Sequence, residues 1–299
     1  MKKFFLLSLI IVVVSLSFGQ NVYNVGKDKD FVSIKDAIEV ASEGDKILID
    51  QGIYNENVEI YKALTLEGVG EVLFLKEDEK KPSMRIKGEF DINIKNISFE
   101  AESTILKSTF ANLSIDKCEF KTTSIALSTN GGDINIQDSV FKGLSNDFKE
   151  RDTFNGNGIF CMYSDKVNIT NCIFESNGTG IYAYEIVDLS LEKNILKNNL
   201  TGIFVIGINY GTVLENSFEM NTVGIEMASD SMIQMDYNNF SKSVKYDLVL
   251  SEYDCTVCEN CDTIPFVGQL DAKGNTSDQK LFCPDYDVLK TAFSEEGGI

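Results

Sequence analysis

The stretch FESNGTGIYAYEIVDLSLEKNILKNNLTGIFVI, residues 174–206, decides the fold because it contains one pattern twice. Phe174 returns about 22 residues later as Leu196, and Asn177 returns at the same interval as Asn199. Each copy also carries a short apolar strand that starts at a glycine, GIYA in the first and GIFV in the second. Intervals of this length are typical of solenoids, in which each repeat packs only against its neighbours.

The same pattern continues along most of the chain. The large apolar residues that anchor the repeats form one column, which consists of Phe99, Phe120, Phe141, Phe174, Leu196, Phe218 and Phe240. An alternating apolar pair precedes each anchor, as Leu189 and Leu191 do, which is typical of a strand with one buried face. Asparagines fill a turn column, namely Asn155, Asn177, Asn199 and Asn221. They are expected to tolerate left-handed backbone angles and to hydrogen-bond their equivalents in adjacent coils. Three strands and three turns per repeat predict an all-β, single-stranded parallel β-helix with about 22 residues per coil.

The first residues have the composition of a secretory signal. Lys2 and Lys3 precede an apolar run from Phe4 to Val14, and Gly19 supplies a small residue for cleavage. The run is shorter than the roughly 20 residues that a membrane helix needs, so we expect no membrane span. The sequence therefore predicts a signal peptide over residues 1–19 and a protein that is secreted, periplasmic or located on the cell surface.

The segment after the signal is predicted to close the open end of the coil stack. Ser33 and Asp36 resemble a capping box, a helical apolar stripe follows, and Gly44 is expected to end this short helix. The predicted organisation places the N-terminal cap and first coils at residues 20–70, the β-helix at 71–250 and a cysteine-containing C-terminal cap at 251–299.

This opening resembles that of the pectin-lyase-like right-handed parallel β-helix superfamily. The residues that carry the resemblance are Ala37, Ile38, Ala41, Gly44, Asp45, Ile47, Ile49, Gly52, Tyr54, Glu56 and Ile60. The later repeats resemble the NosD-like, or CASH-type, repeats of carbohydrate-binding and sugar-hydrolysing proteins, including a last coil from Asn239 to Leu250. The resemblance implies a right-handed solenoid, but it is not specific for one activity.

The charge balance and the lack of histidine limit the possible functions. With 46 acidic and 27 basic residues the net charge is -19, which disfavours nucleic acid, and polyanionic ligands unless a cation bridges them. The chain has no histidine, which the motifs of polygalacturonases and alginate epimerases require. The catalytic segment of pectin methylesterases also has no match in this sequence. The sequence therefore assigns no catalytic residue, no metal ligand and no cofactor.

Outward-facing aromatic residues on the third strand of each coil form the predicted ligand site. Phe160, Tyr182, Phe204 and Glu226 lie between buried positions in successive coils, and Tyr184 flanks them. A stacked aromatic strip on an outer face is typical of a binding surface, and aromatic rings can stack on the apolar faces of sugars. The sequence therefore predicts a surface that binds a polysaccharide or a surface glycan. The alternative is that the insertion at residues 145–157, or the C-terminal tail, covers the strip.

Other functions stay open beside glycan binding. A polysaccharide lyase or glycoside hydrolase would need two outward acids about 5 to 10 Å apart, and the nearest candidates are Glu185, Glu226 and Asp230. A Ca²⁺-dependent lyase could instead use the charged residues of the insertion, which are Asp147, Glu150, Arg151 and Asp152. A scaffold that binds a partner protein, or acts only structurally, is the third interpretation.

The seven cysteines fall into two groups. Cys118, Cys161 and Cys172 occupy repeat positions and are predicted to be small buried core residues. The second group follows the last coil and consists of Cys255, Cys258, Cys261 and Cys283. In an oxidising compartment these four predict two disulfides that clamp the C-terminal cap, with a zinc or iron–sulfur site as the alternative.

Overall fold

A computed structural model describes residues 19–76, 78, 80–144, 156–251, 255, 264–285, 289 and 293. Its strands are parallel where they pair, and each coil pairs with the coil before it and the coil after it. Ile181, for example, lies in register between Ile159 and Ile203. The predicted all-β parallel β-helix with about 22 residues per coil is therefore confirmed.

The described elements are one short helix and a succession of short strands. In chain order they are β1 (Val22–Val25), α1 (Ile34–Val40), β2 (Lys46–Asn55), β3 (Val58–Ile60), β4 (Leu64–Leu75), β5 (Met84–Lys87), β6 (Asp91–Lys95), β7 (Ser98–Ala101), β8 (Leu106–Thr109), β9 (Asn112–Asp116), β10 (Glu119–Thr122), β11 (Leu127–Asn130), β12 (Ile134–Gln137), β13 (Val140–Gly143), β14 (Asn157–Met162), β15 (Lys166–Thr170), β16 (Ile173–Glu175), β17 (Thr179–Tyr184), β18 (Asp188–Glu192), β19 (Ile195–Lys197), β20 (Thr201–Ile206), β21 (Tyr210–Leu214), β22 (Ser217–Glu219), β23 (Val223–Ala228), β24 (Met232–Asp236), β25 (Asn239–Ser241), β26 (Tyr246–Leu250), β27 (Gln269–Lys273), β28 (Thr276–Ser277) and β29 (Phe282–Cys283).

The third strand of each coil belongs to a separate ten-stranded sheet, whose order is β29-β26-β23-β20-β17-β14-β11-β8-β5-β3. The other strands form the remaining faces of the coil. Because side chains alternate between the two sides of a strand, each face presents one set of residues to the interior and one set outward. The outward set of the ten-stranded sheet contains the predicted ligand residues.

Phenylalanine side chains stack along the interior. The rings of Phe99 and Phe120 lie 5.0 Å apart and those of Phe120 and Phe141 lie 4.9 Å apart, and all are buried. Phe74 extends this column by one coil, because it pairs in register with Phe99. The sequence pattern missed Phe74 because the step to Phe99 is longer than the regular interval. Each buried phenylalanine contributes roughly 1.5–3 kcal/mol of transfer free energy, so the column is a main source of stability.

Buried asparagines hold the turns of adjacent coils together. The Asn177 amide donates to Asn199 at 3.1 Å, and the Asn199 amide donates to Asn221 at 3.0 Å, as the turn column predicted. The left-handed backbone angles expected of these asparagines lie one residue earlier, at Ser176, Asn198 and Met220. Asn155, the first predicted member, lies outside the described residues. A second ladder was not predicted and joins Asn194, Asn216, Asn238 and Asn275 through amide contacts of 3.0 Å. Each of these asparagines lies one residue before a strand. The sequence therefore contained a second column of asparagines that could have been recognised.

Helix α1 starts where the sequence predicted, and it has a further cap from another coil. Ser33 Oγ accepts a hydrogen bond from the backbone N–H of Asp36 at 3.2 Å. The Glu56 carboxylate, just after β2, accepts from the backbone N–H groups of Ile34 at 3.0 Å and Lys35 at 2.8 Å. One side chain therefore satisfies two of the N–H groups that a helix start leaves without partners.

The helix ends earlier than predicted. Its last residue is Val40, whereas Gly44 lies in the following turn with a φ of 84°. The Asp45 carboxylate accepts from the backbone N–H groups of Ser42 and Asn21, each at 2.8 Å. These contacts fold residues 42–45 into a turn, which is why the prediction that Gly44 ends the helix was wrong.

The two groups of cysteines differ as the sequence indicated. Cys118, Cys161 and Cys172 are buried free thiols, and burial raises the pKa of each to about 12. Cys255 and Cys283 form a disulfide with their Cα atoms 5.6 Å apart, so a metal site that uses all four tail cysteines is excluded. Cys258 and Cys261 lie outside the described residues.

The predicted signal peptide lies almost entirely outside the described residues, which begin at Gly19. From that residue onward, none of the helices that the structure describes combines the length and the apolar character needed to cross a bilayer.

Candidate functional site

One outward column runs the whole length of the ten-stranded sheet. Strand pairing places its members in register from coil to coil, in the order Glu59, Arg85, Lys107, Ser128, Phe160, Tyr182, Phe204, Glu226, Val249 and Cys283. The neighbours of Phe160, Ile159 and Cys161, point into the core and are fully buried. The predicted direction of the aromatic strip is therefore correct, and charged residues continue the column toward the N-terminal end.

The expected open aromatic strip is not what the structure shows. Phe160, Tyr182 and Phe204 are only 8%, 6% and 5% exposed. They form an apolar cluster separate from the main core, together with Ile125, Ile206 and Ala228, and adjacent rings lie 4.9 and 5.0 Å apart. The sequence left an exposed strip and a covered strip open, and the burial agrees with the covered one, because strand alternation predicts where a side chain points and not what covers it.

Glu226 ends the aromatic strip and is buried too. It is 4% exposed, and its carboxylate accepts a hydrogen bond from Ser251 Oγ at 3.0 Å. The sequence offered the insertion at 145–157 and the C-terminal tail as covers, and residues 145–155 of the insertion and 252–254 and 256–263 of the tail lie outside the described residues. The charged residues proposed for a lyase, Asp147, Glu150, Arg151 and Asp152, lie there as well.

An accessible cavity of about 560 Å³ opens at the edge of this cluster, where β17 and β20 lead into their turns. Tyr184, half-buried at the end of β17, forms part of its wall. Its other lining residues are Glu185, Ile186, Val187, Ile206, Gly207, Asn209, Ser229, Asp230 and Ile264. Glu185 and Asp230, two of the acids that the sequence offered as candidates, thus share one cavity with the predicted ligand residue Tyr184.

A glycine leaves room between these two acids. Glu185, Gly207 and Ser229 occupy the same left-handed turn position in successive coils, with φ of 49°, 63° and 60°. A Cβ atom placed on Gly207 would lie 3.3 Å from Glu185 Cγ and 3.9 Å from Asp230 Oδ1. Glu185 Cγ and Asp230 Oδ1 are consequently at most about 7 Å apart, and the Glu185 carboxyl carbon, one bond further along the side chain, lies within about 9 Å of Asp230 Oδ1. This limit is compatible with the range of about 5 to 10 Å that glycosidase carboxyl pairs span.

A hydrogen bond orients the Asp230 carboxylate, because Ser229 Oγ donates to Asp230 Oδ1 at 3.0 Å. On the other side of the gap, interaction with the adjacent Glu185 carboxylate, followed by partial burial, raises the pKa of Tyr184 to about 12. The exposed Tyr163 ring stands edge-on to Tyr184 at 5.4 Å and extends the aromatic wall toward solvent. The site therefore presents two anionic acceptors and an aromatic surface on either side of a gap.

The structure brings together only part of the predicted site. Tyr184, Glu185 and Asp230 meet in the cavity, whereas Phe160, Tyr182, Phe204 and Glu226 belong to the buried cluster behind it. Sequence reasoning missed Gly207 and Asn209. The signal for Gly207 was available, because this glycine stands in the turn position that Glu185 occupies one coil earlier.

Comparisons with known proteins agree with the fold. Residues 157–262 match the family model described as a right handed beta helix region, which confirms the handedness implied by the sequence resemblance. Part of the chain is 34% identical, over 92 residues, to a cell surface glycoprotein of Methanothermus fervidus. That match covers 29% of this chain and 16% of the glycoprotein, so this chain matches only a small part of its relative.

Solved structures with a similar course of the chain include carbohydrate-active enzymes. A pectin methylesterase from Aspergillus niger is similar with a TM-score of 0.46 and 10% identity, over 88% of this chain and 87% of the enzyme. The catalytic domain of a GH87 alpha-1,3-glucanase in complex with nigerose is similar with a TM-score of 0.33 and 9% identity, over 89% of this chain and 66% of that domain.

Proposed function

We propose that the protein is an exported, surface-located β-helix that binds a neutral saccharide in the cavity between Tyr184 and Asp230. The observation that carries the proposal is the gap at Gly207, which two carboxylates flank and an aromatic ring borders. The signal-like N-terminal sequence and the partial likeness to a cell surface glycoprotein support the location.

The chemistry of the cavity suits sugar hydroxyl groups. Carboxylates accept hydrogen bonds from hydroxyls, and such charge-assisted bonds are roughly twice as strong as neutral ones. The half-buried Tyr184 ring and the exposed Val187 side chain offer apolar surface for the C–H faces of a sugar ring. A volume of about 560 Å³ lies in the usual range for small-molecule sites, about 300–1,000 Å³.

The charge of the cavity favours a neutral ligand over an acidic one. Its described lining contains two carboxylates, Glu185 and Asp230, and no lysine or arginine. A negative charge on the ligand would meet both carboxylates at short range without a compensating cation. We therefore expect neutral hexose or N-acetylhexosamine units in this position.

Binding of the full chain to a panel of neutral oligosaccharides tests the proposal. We expect at least one member to be retained, and Asp230→Asn to weaken its binding by about tenfold, because the variant exchanges a charged acceptor for a neutral one. Asp133→Asn removes the same charge from an exposed position outside the lining of the cavity and serves as the control. Retention of no oligosaccharide by the wild-type chain would contradict saccharide binding and would leave the scaffold interpretation.

A glycoside hydrolase is the second candidate, and the spacing of Glu185 and Asp230 favours it. One acid would protonate the leaving oxygen and the other would act as base or nucleophile on the opposite face of the sugar. Release of reducing ends from the retained saccharide, abolished in both Glu185→Gln and Asp230→Asn, would establish hydrolysis. Binding without release of reducing ends would leave the protein a lectin-like binder.

A further inference from the structure

A second cavity, of about 400 Å³, lies at the N-terminal end of the ten-stranded sheet. Helix α1, β3, β5 and the segments next to these strands form its walls. The lining residues are Lys35, Ile38, Glu39, Asn57, Val58, Glu59, Tyr61, Lys62, Lys81, Pro82 and Arg85. It is distant along the solenoid from the cavity at Tyr184, and ligand binding here would be independent of saccharide binding at that site.

The charge of this cavity is opposite to that of the molecule. The chain as a whole carries a net charge of -19, yet the lining contains four cations, Lys35, Lys62, Lys81 and Arg85, against the two acids Glu39 and Glu59. At physiological ionic strength the Debye length is about 8 Å, so the distant acids of the surface are largely screened here. A small anion that enters the cavity therefore meets mainly the local cations.

The cations come from different directions. Lys35 stands on α1, Lys62 follows β3, Lys81 precedes β5, and Arg85 points outward from β5. The charge of Arg85 stays close to solvent. Its Nε lies 3.8 Å from the Glu59 carboxylate, and both side chains of this ion pair are about half exposed.

Two of the lysines already have protein partners. Lys62 Nζ donates to backbone carbonyls at the end of α1, among them that of Glu39 at 3.4 Å. Lys81 Nζ lies 3.6 Å from the Asp78 carboxylate, with both side chains largely exposed. Such exposed pairs are weak, so a more strongly charged anion can compete for the lysine.

The floor of the cavity is apolar. Ile38 and Val58 are buried beneath it, and the Tyr61 ring beside it is 59% exposed. The Tyr61 hydroxyl donates to the Glu59 carboxylate, which fixes the ring at the rim. An apolar floor under a ring of cations suits a ligand that has both a hydrocarbon face and an anionic group.

We propose that this basic cavity binds a phosphate or sulfate ester of a sugar. A tetrahedral ester anion presents three oxygens in different directions, which matches lysine and arginine charges that reach the cavity from separate segments of the chain. A planar carboxylate could instead be bound by Arg85 alone. The sugar ring lies on Ile38, Val58 and the Tyr61 ring. The ligand is short, because the acidic surface beyond the cavity repels an extended polyanion.

Calorimetric titration of the full chain with five probes tests this assignment: glucose 6-phosphate, glucose 6-sulfate, glucuronate, glucose and inorganic phosphate. We expect one or both of the esters to bind at least about tenfold more tightly than glucuronate, glucose or inorganic phosphate. Preference for the phosphate or the sulfate ester identifies the source of the anion. Equal binding of glucuronate, equal binding of inorganic phosphate, or no ester binding overturns the proposal.

Charge-removal variants locate the bound ester. Arg85→Gln and, separately, Lys35→Gln are expected to weaken ester binding by about tenfold or more, because each removes a charge-assisted contact. Lys166→Gln removes one exposed positive charge on another face and should bind the ester as the wild type does. If all three variants behave alike, the effect is one of net charge and the assigned site is wrong. Asp230→Asn leaves this cavity unchanged, so the two proposed sites succeed or fail independently.

Discussion

Ser33 and Glu56 are joined by a hydrogen bond of 3.1 Å from the Ser33 hydroxyl to a Glu56 carboxylate oxygen. The contact connects the residue that caps α1 with the residue that follows β2. The same carboxylate also accepts from two backbone N–H groups at the start of α1. Glu56 belongs to the set of residues through which the chain resembles pectin-lyase-like proteins, and its role is to hold the helix over the end of the coil stack.

Replacement of Glu56 by alanine should therefore loosen the cap. We expect Glu56→Ala to lower the free energy of unfolding by about 1–2 kcal/mol, since it removes acceptors of otherwise unpaired helix N–H groups and a favourable charge at the helix start. Urea denaturation measures the loss, and Glu71→Ala, at an exposed position, is the control. Equal denaturation midpoints for the two variants would show that Glu56 does not hold the cap.

Burial should make the asparagine ladder important for stability. Asn199 donates its amide to Asn221 and to the Phe174 carbonyl, and its own oxygen accepts from Asn177. Asn199→Ala removes these buried hydrogen bonds and takes its acceptor from the backbone N–H of Asn177, so we expect a loss of at least about 2 kcal/mol in the free energy of unfolding.

An exposed contact of the same kind provides the comparison. Asn135 accepts from the Asn168 amide at 3.0 Å on the outer face of the solenoid. Asn135→Ala should cost at most about 1 kcal/mol, because water replaces the lost partner. Equal losses in the two variants would mean that contact between coils, and not burial, determines the stability of the ladders.

The fold was predictable because its signals recur at a fixed interval. The anchor column at Phe120, Phe141 and Phe174 and the ladder at Asn177 and Asn199 each repeat in the sequence, and a solenoid converts such repeats into direct contacts. The end of α1 was not predictable in this way, because it depends on side-chain contacts of Asp45 that occur only once.

The candidate site was only partly predictable for a related physical reason. Strand alternation gave the direction of Tyr182 and Tyr184 but not their burial, which depends on what packs over them. The cavity at Gly207 joins residues of three coils. The sequence offered Glu185 and Asp230 among three candidate acids, but only the structure shows that these two lie on either side of the glycine. The basic cavity at Arg85 is made by segments without a repeat relationship, so no periodic pattern indicates it.

Asp45 gives a prediction about acid pH. Burial alone would raise its pKa, but hydrogen bonds from the backbone N–H groups of Asn21 and Ser42 outweigh that effect, and its pKa lies below the ordinary value of 3.8. A carboxyl group whose pKa is lower in the folded state stabilises the fold above its unfolded pKa, and the contribution is lost as the pH falls through the folded value.

Asp45→Asn should therefore be less stable than the wild type near neutral pH, with a difference that shrinks once the pH falls below about 4. Urea midpoints at about pH 7, 5 and 3 measure this convergence. Asp133→Asn, at an exposed position, should differ little from the wild type across the range. A difference for Asp45→Asn that stays constant to the lowest pH would show that the carboxylate charge is not the source of the stability.

The gap at Gly207 gives the most direct test of the saccharide site. Its φ of 63° is one that asparagine also adopts, and a Cβ atom there would lie 3.3 Å from Glu185 Cγ and 3.9 Å from Asp230 Oδ1. Gly207→Asn therefore fills the space between the acids with only a small shift of the exposed Glu185 side chain. We expect saccharide affinity to fall by at least about tenfold while the denaturation midpoint stays close to that of the wild type.

Gly44→Asn is the matched control for this substitution. Gly44 also has a left-handed φ, of 84°, and a Cβ atom there would meet no atom within 4 Å. Both variants exchange glycine for asparagine in a similar backbone conformation, so a loss of affinity restricted to Gly207→Asn is due to the filled gap. Wild-type affinity in Gly207→Asn would mean that no sugar enters between Glu185 and Asp230, and neither binding nor hydrolysis could then be assigned to that pair.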